Sequence, residues 1–421
     1  MFGRGFTFVG LIVLGGIVWI TLALYLADKV DWSGKRVSNP QPPAWEAGAL
    51  PIELLPQPQT TNIISTQDYG DKLMNLPNIS GEHWINSEPI PAKALQGKVV
   101  LVDFWDYTCV NCIRTLPYLR QWWERYHELG LVIVGVHSPE FPFAKDRKNV
   151  ERAVRAFKIE YPVVMDNDFA IWRSFGNRYW PAKYLFDGMG RLRYYHFGEG
   201  EYAETERVIQ VLLNEIHPNA NFPEPMAPIR DTDKPGAVCY PVTPELYLGY
   251  ERGRLGNTED FIPEKPHRFT INQNTTILDH IFYLDGNFTV LPWAIRYEGE
   301  DERGYGRLLL NYQGFELNLV MHPPMQSAKG HRFNSSDIQD TDETTINIGI
   351  VEILQDGQPL SAEILGEHAR RDGDATIVEV NVPKMYNLVR NYTVEPHSLE
   401  LRFHTPGTEA YAFTFTSCAR S

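Results

Sequence analysis

Two rhythms of apolar residues divide the chain. From about residue 75 to 216, near-continuous apolar runs alternate with stretches in which apolar residues return every three or four positions. KVVLVDFW (98–105) and LVIVGV (131–136) predict strands covered on both faces. Between them Ile113, Leu116, Leu119, Trp122, Trp123, Tyr126 and Leu129 keep helical spacing, with Gly130 as the expected C-cap. Residues 146–158 predict a second helix, YPVVM a short strand, and Ala170–Phe175 a small helix. AKYLFD and RLRYYHF flank Gly188-Met189-Gly190 as a hairpin, and Tyr202, Val208, Ile209, Leu212, Leu213 and Ile216 share one face of a last helix. Strands alternating with helices predict an α/β sandwich. Further on the period drops to two. LLLNYQGFELNLVM (308–321), TTINIGIVEILQDG (344–357), ATIVEVNV (375–382), SLELRFHT (398–405) and AYAFTFTS (410–417) predict an all-β sandwich.

Pro-rich segments separate these blocks. The predicted organisation is a membrane anchor over 1–36, a Pro-rich tether over 37–74, the α/β domain over 75–217, a linker over 218–238 and the β-sandwich over 239–421. The anchor rests on Phe6–Ala27, 22 residues without a charge. At helical rise they extend about 33 Å, enough for one transmembrane helix. The run is long for a cleaved signal peptide, so a single-pass anchor with the body on the periplasmic side is expected. The flanking charges, Arg4 before the run and Lys29, Lys35 and Arg36 after it, lean weakly against that orientation.

Composition narrows the function. The 421 residues are 43% hydrophobic and 22% charged, an ordinary globular mixture, and their net charge of −14 disfavours a nucleic-acid partner. Four cysteines are too few for a disulfide-stapled scaffold, so their positions matter more than their number.

Cys109-Val110-Asn111-Cys112 is a C-x-x-C. Haem attachment needs His next, where Ile113 stands. A zinc site needs a second pair nearby, but Cys239 and Cys418 are isolated, so no metal is expected. A redox dithiol remains. It follows a buried strand and opens a helix, where free N–H groups and the helix dipole favour a thiolate. Asp103 lies in an apolar strand, where a carboxylate is costly without a task. Pro117 falls inside the helix, and Pro181 precedes a strand as a candidate cis-proline. Each has an ordinary structural explanation; their coincidence with a C-x-x-C does not. Peroxidase chemistry is disfavoured, because the Pro-x-x-x-Thr-x-x-Cys pattern fails at Phe104.

VLVDFWDYTCVNCIRTLP resembles the thioredoxin-fold signature. More narrowly, CVNCIRTLPYL, GVHSPEF (135–141), NRYWPAKYLFD (177–187) and FGEGEY (197–202) resemble the thioredoxin-like domain of DipZ-type proteins. These are relatives of membrane-anchored TlpA/ResA-type, AhpC/TSA-like oxidoreductases. YLGY (247–250), the Asp356-Gly357 turn and PGTEAYAFTF (406–415) resemble that family's C-terminal β-sandwich, which is similar to carbohydrate-binding modules. The resemblance implies thiol–disulfide exchange with envelope proteins and no organic cofactor. Cys109 would be the attacking thiolate, Cys112 the resolving thiol, Asp103 the acid exchanging a proton with Cys112, and Pro181 the cis-proline beside which substrate docks. Trp105 and Trp180 are expected at the substrate wall, with core packing as the competing role, and His137 and Glu140 at the site edge. DipZ-type proteins carry a multi-helix electron-transfer portion; with one expected span, a separate membrane partner would supply electrons.

Cys239 and Cys418 bracket the β-sandwich, so a structural disulfide between them is weighed against two unpaired thiols. Tyr247, Tyr250, Phe282, Tyr283, Trp293, Tyr297 and Tyr305 either fill the core or bind a glycan. The competing function is therefore a cell-envelope glycan- or protein-binding protein with an accessory redox domain.

Overall fold

Strand β2 (Val99–Trp105) is buried along its whole length, as its unbroken apolar run requires. It lies inside a six-stranded sheet of order β1-β4-β3-β2-β5-β6, where β1 is Trp84–Ile85, β3 Leu131–His137, β4 Val163–Met165, β5 Ala182–Phe186 and β6 Leu192–Phe197. β2, β3 and β4 run parallel, β5 is antiparallel to β2, and β6 is antiparallel to β5. Helices α1 (Val110–Tyr126), α2 (Arg147–Ala156), α3 (Ala170–Ser174) and α4 (Tyr202–Ile216) cover the two faces. The computed structural model describes residues 74–234, 237, 239–272, 274–324 and 348–417.

Alternation along β2 sorts its side chains. Val99, Leu101 and Trp105 join Leu116, Leu119 and Trp122 of α1 and Val208, Ile209 and Leu212 of α4 in one core. Val100, Val102 and Phe104 enter the opposite core with Ile171 and Trp172 of α3. Asp103 therefore faces α1. The helix ends a little before the predicted cap: a 3-10 turn, His127–Leu129, intervenes, and Gly130 closes it at φ 98°.

The C-terminal domain is a near-barrel β-sandwich. Its strands are β7 Leu246–Tyr247, β8 Pro266–Phe269, β9 Phe282–Val290, β10 Ile295–Tyr297, β11 Gly306–Gln313, β12 Glu316–His322, β13 Gly349–Gln355, β14 Gln358–Pro359, β15 Ala369–Asp372, β16 Ala375–Val380, β17 Lys384–Arg390, β18 Pro396–Phe403 and β19 Glu409–Phe415. The main path is β15-β16-β13-β18-β11-β9-β10-β19-β12-β17, with β7, β8 and β14 attached to β19, β9 and β13. The apolar run 308–321 is not a hairpin: β11 pairs with β9 and β18, β12 with β17 and β19. β9 joins the two sheets, pairing with β11 up to Asp285 and with other strands from Gly286 on. Gly286 has φ 128°, and a Cβ there would meet Gly306 Cα at 2.9 Å, so the crossing demands glycine. In β11, Leu308, Leu310 and Tyr312 point into the core with Leu399, Leu401 and Phe403 of β18.

The Pro-rich segment after α4 does not hang free. Arg125 donates to Glu224 O (2.7 Å), Gln210 to Pro223 O (2.7 Å) and the Met226 amide to buried Glu206 (2.7 Å). Tyr118 Oη donates to Asp233 (2.6 Å) while accepting from the Ile229 amide (2.8 Å). The segment is strapped across α1 and α4. Cys239 is disulfide-bonded; Cys418 lies outside the described residues.

The membrane expectation is corrected. No helix among the described residues is long and apolar enough to cross a membrane, and the Phe6–Ala27 run lies outside them. The described residues lend no support to the single-pass anchor or to the periplasmic placement that depended on it.

Candidate active site

Cys109 caps α1. Its backbone is extended (φ −78°, ψ 116°), and its Sγ accepts the Cys112 amide at 3.3 Å. A sulfur at this position meets unsatisfied helix N–H groups, which stabilise negative charge on it. Cys109 is half-buried and Cys112 fully buried, and both are free thiols. Burial pushes the Cys112 thiol well above its ordinary value, reinforced by its hydrogen bond with Cys109 and by the charges of Cys109 and Asp103. The asymmetry separates an accessible sulfur beside helix amides from an inner thiol that holds its proton.

Asp103 lies beneath them. It is 1% exposed, and neither carboxyl oxygen has a hydrogen-bond partner. Burial pushes its pKa up to about 7, against the pull of Lys183. Lys183 is also fully buried and sits directly across the β2–β5 ladder from Asp103. Burial lowers its pKa, and the charges of Asp103, Cys112 and Glu199 oppose that. Its Nζ donates to Gly198 O at 3.2 Å. The sequence reading missed Lys183. Its only signal there is a lysine between apolar residues in AKYLFD, two places past the proline.

The Trp180–Pro181 peptide is cis. Trp180 is half-buried, donates Nε1 to Ser138 O (3.0 Å) and packs 4.3 Å from Trp172. Beside it Tyr179 is 51% exposed, 5.1 Å from Phe197, leaving aromatic surface next to the proline. Two expected site residues lie elsewhere. Trp105 is wholly buried, edge-on to His137 at 5.2 Å, so it supports the site from inside the core rather than walling it. A Cβ at Gly135 would come within 3.1 Å of its Nε1. His137 is buried too, stacked on Tyr107 at 5.6 Å and 3.5 Å from Asp106 Oδ2.

Burial lowers the His137 pKa to about 3. The unfolded chain then takes up a proton that the folded chain refuses, so this residue's contribution to stability is present above about pH 6.5 and declines toward pH 3. Imidazole nitrogen resonances of His137 are expected to report one neutral tautomer from about pH 5 to 8; an imidazolium signal there would contradict the placement.

Asp106, a second buried acid, was also missed. It accepts the Thr108 amide (2.7 Å), the Thr108 hydroxyl and the Glu140 amide (3.0 Å), tying the turn before Cys109 to the loop after β3. Arg114 bridges to Glu199 (3.1 Å) and to Glu316 of β12 (3.3 Å). It opens a 560 Å³ cleft lined also by Tyr118, Tyr202 and Arg230; neither cysteine lines it. Among the described residues no group of three His, Cys, Asp or Glu is placed to hold a metal. Of the aromatics considered for a glycan, Phe282, Tyr283 and Tyr297 are buried in the sandwich.

Comparison with known proteins agrees with this geometry. Residues 74–195 match the AhpC/TSA family and residues 243–416 a family described as the thioredoxin like C-terminal domain. The chain is 30% identical over 347 residues to Protein DipZ of Mycobacterium tuberculosis, covering 81% of this chain but 42% of that one. It is 28% identical to the thiol-disulfide oxidoreductase YkuV of Bacillus subtilis, covering 33% of this chain and 95% of YkuV. NHL repeat-containing protein 2 of Bos taurus is 41% identical over 123 residues, 28% of this chain and 17% of that protein. A solution structure of a thioredoxin-like protein in its oxidised form aligns over 34% of this chain and 97% of that one, with 29% identity and a TM-score of 0.32. The expected likeness thus extends over 81% of the chain for DipZ and over 32% of it for ResA.

Proposed function

We propose that the chain is a thiol–disulfide oxidoreductase that exchanges disulfides with protein substrates through Cys109 and Cys112. The observation that carries this reading is the asymmetric pair: a half-buried Cys109 sulfur on helix amides, over a buried, protonated Cys112.

In the reducing direction the Cys109 thiolate attacks a substrate disulfide, forming a mixed disulfide and releasing one substrate thiolate, which takes a proton from solvent. Cys112 then gives its proton to the Asp103 carboxylate and attacks the Cys109 sulfur. The Cys109–Cys112 disulfide forms and the second substrate thiolate leaves. Two electrons have passed to the substrate, and a lower-potential dithiol must return two to the enzyme. The opposite direction uses the same steps in reverse. Aromatic surface at Tyr179 and Trp180 beside Pro181 favours an extended substrate segment with apolar side chains.

Cys112→Ser removes the resolving thiol and keeps the nucleophile. Incubated with an oxidised protein substrate, it is expected to accumulate a mixed disulfide at Cys109 that mass spectrometry detects and dithiothreitol releases. Absence of the adduct, or its formation at another residue, would overturn the assignment.

A further inference from the structure

Glu140 follows β3 and stands where the redox fold meets the C-terminal domain. Its backbone amide donates to Asp106 Oδ2 at 3.0 Å, and Asp106 Oδ1 accepts the Thr108 amide at 2.7 Å, one residue before Cys109. The Asp106 backbone also offers a hydrogen bond toward the Cys112 sulfur. On its other side, the Glu140 carboxylate accepts from Tyr247 Oη of β7 at 2.6 Å and pairs with Arg252 at 3.2 Å. The Arg252 guanidinium lies 3.4 Å over the Tyr247 ring. Two hydrogen-bonded links therefore separate a C-terminal-domain phenol from the active-site turn.

The Tyr247 hydroxyl also lies 2.8 Å from Glu245, but a phenol has one proton to give. Glu245 presents surface to solvent, although burial of its carboxyl and the charge of Glu140 push it up to about 7, whereas the Glu140 side chain is 9% exposed. Glu140 is thus the acceptor that needs the proton. Burial pushes its carboxyl up, and the Tyr247 hydroxyl and Arg252 pull it down. The neighbouring Phe141 is buried with Ala294, Val320 and Tyr411, so the loop is docked even without these polar contacts. Packing holds the loop; the hydrogen bonds set its aim.

We propose that Tyr247 and Arg252 of the C-terminal domain are positioning residues for the dithiol, gripping Glu140 and, through Asp106, fixing the Thr108–Cys109 turn that presents the Cys109 sulfur to the helix amides. The inference rests on the dithiol reading above and gives the second domain a part in the redox reaction. Loss of the grip lets the turn relax, weakens thiolate stabilisation at Cys109 and favours the disulfide.

The test uses the full chain. Tyr247→Phe deletes the hydroxyl and keeps the ring stacked under Arg252. It is expected to slow Cys109 alkylation by iodoacetamide at neutral pH about three- to tenfold and to move the dithiol–disulfide constant up to about tenfold, or about 30 mV, toward the disulfide. Glu140→Ala is expected to do the same. Glu140→Gln, whose amide oxygen still accepts from Tyr247, is expected to stay within about twofold of the parent. Should Glu140→Ala fail to fold, Tyr247→Phe and Glu140→Gln carry the comparison. The proposal is overturned if Tyr247→Phe matches the parent in both measurements, or if Glu140→Gln shifts as far as Tyr247→Phe. A parent protein that forms no reversible disulfide would instead overturn the dithiol reading itself.

Discussion

Cys109→Ser is expected to lower disulfide exchange with a model protein substrate by on the order of 10⁴-fold, the scale of losing a nucleophile. A serine hydroxyl at the helix N-terminus is far from ionised at neutral pH, and an S–O bond to substrate is no intermediate of this exchange. The fold should be indifferent, because serine is a good N-cap and can accept the Cys112 amide as sulfur does. Turbidity of insulin under dithiothreitol, followed beside the melting temperature, separates the two effects. Substantial remaining activity would place the chemistry at another residue.

Asp103→Asn has the second largest expected effect, with opposite signs on rate and stability. The Asp103 carboxylate accepts the Cys112 proton only when ionised, so with its pKa near about 7 the resolving step should quicken as pH rises through neutrality. Asparagine cannot take that proton. Closure of the Cys109–Cys112 disulfide should slow by about 10²-fold, and the rise through neutrality should vanish. For stability, the folded state holds a proton that the unfolded chain has lost above pH 3.8, so the stability this residue contributes is greatest below that value and is lost as pH rises toward 7. Over that interval the loss amounts to about 4 kcal/mol at most. Asp103→Asn is therefore expected to be more stable than the parent at pH 8 and indistinguishable near pH 4. Denaturant unfolding at the two pH values checks this; equal stability at both would mean that Asp103 ionises as it would in water.

The alternation of β2 explains both what the sequence disclosed and what it concealed. The unbroken run from Val99 to Trp105 can only be a strand covered on both faces, and a C-x-x-C opening the next helix needs no partner strand to be noticed. Trp105 is weighed in the sequence between the substrate wall and core packing; it shares the parity of Asp103 and points into the core beneath α1. Lys183 escaped for a different reason. In AKYLFD a lysine reads as the outward residue of an alternating strand, and only the β2–β5 register sets it opposite Asp103. Asp106 reads as a turn residue; its carboxylate acquires a role through Glu140, whose partners Tyr247 and Arg252 lie more than a hundred residues away. The membrane expectation drew on a segment that the described structure does not include.

The proline strap changes what counts as a module. By composition, the natural place to divide the protein is after Ile216, where α4 ends. A fragment cut there would keep Glu206, 1% exposed, but lose the Met226 amide that binds it, and would strip Asp233 and the Ile229 amide from Tyr118. Such a fragment would melt early and mislead anyone assigning function by dissection. Inheritance by shuffling faces the same constraint: a redox unit that moves between proteins must carry residues 217–234 with it as part of its own outer wall.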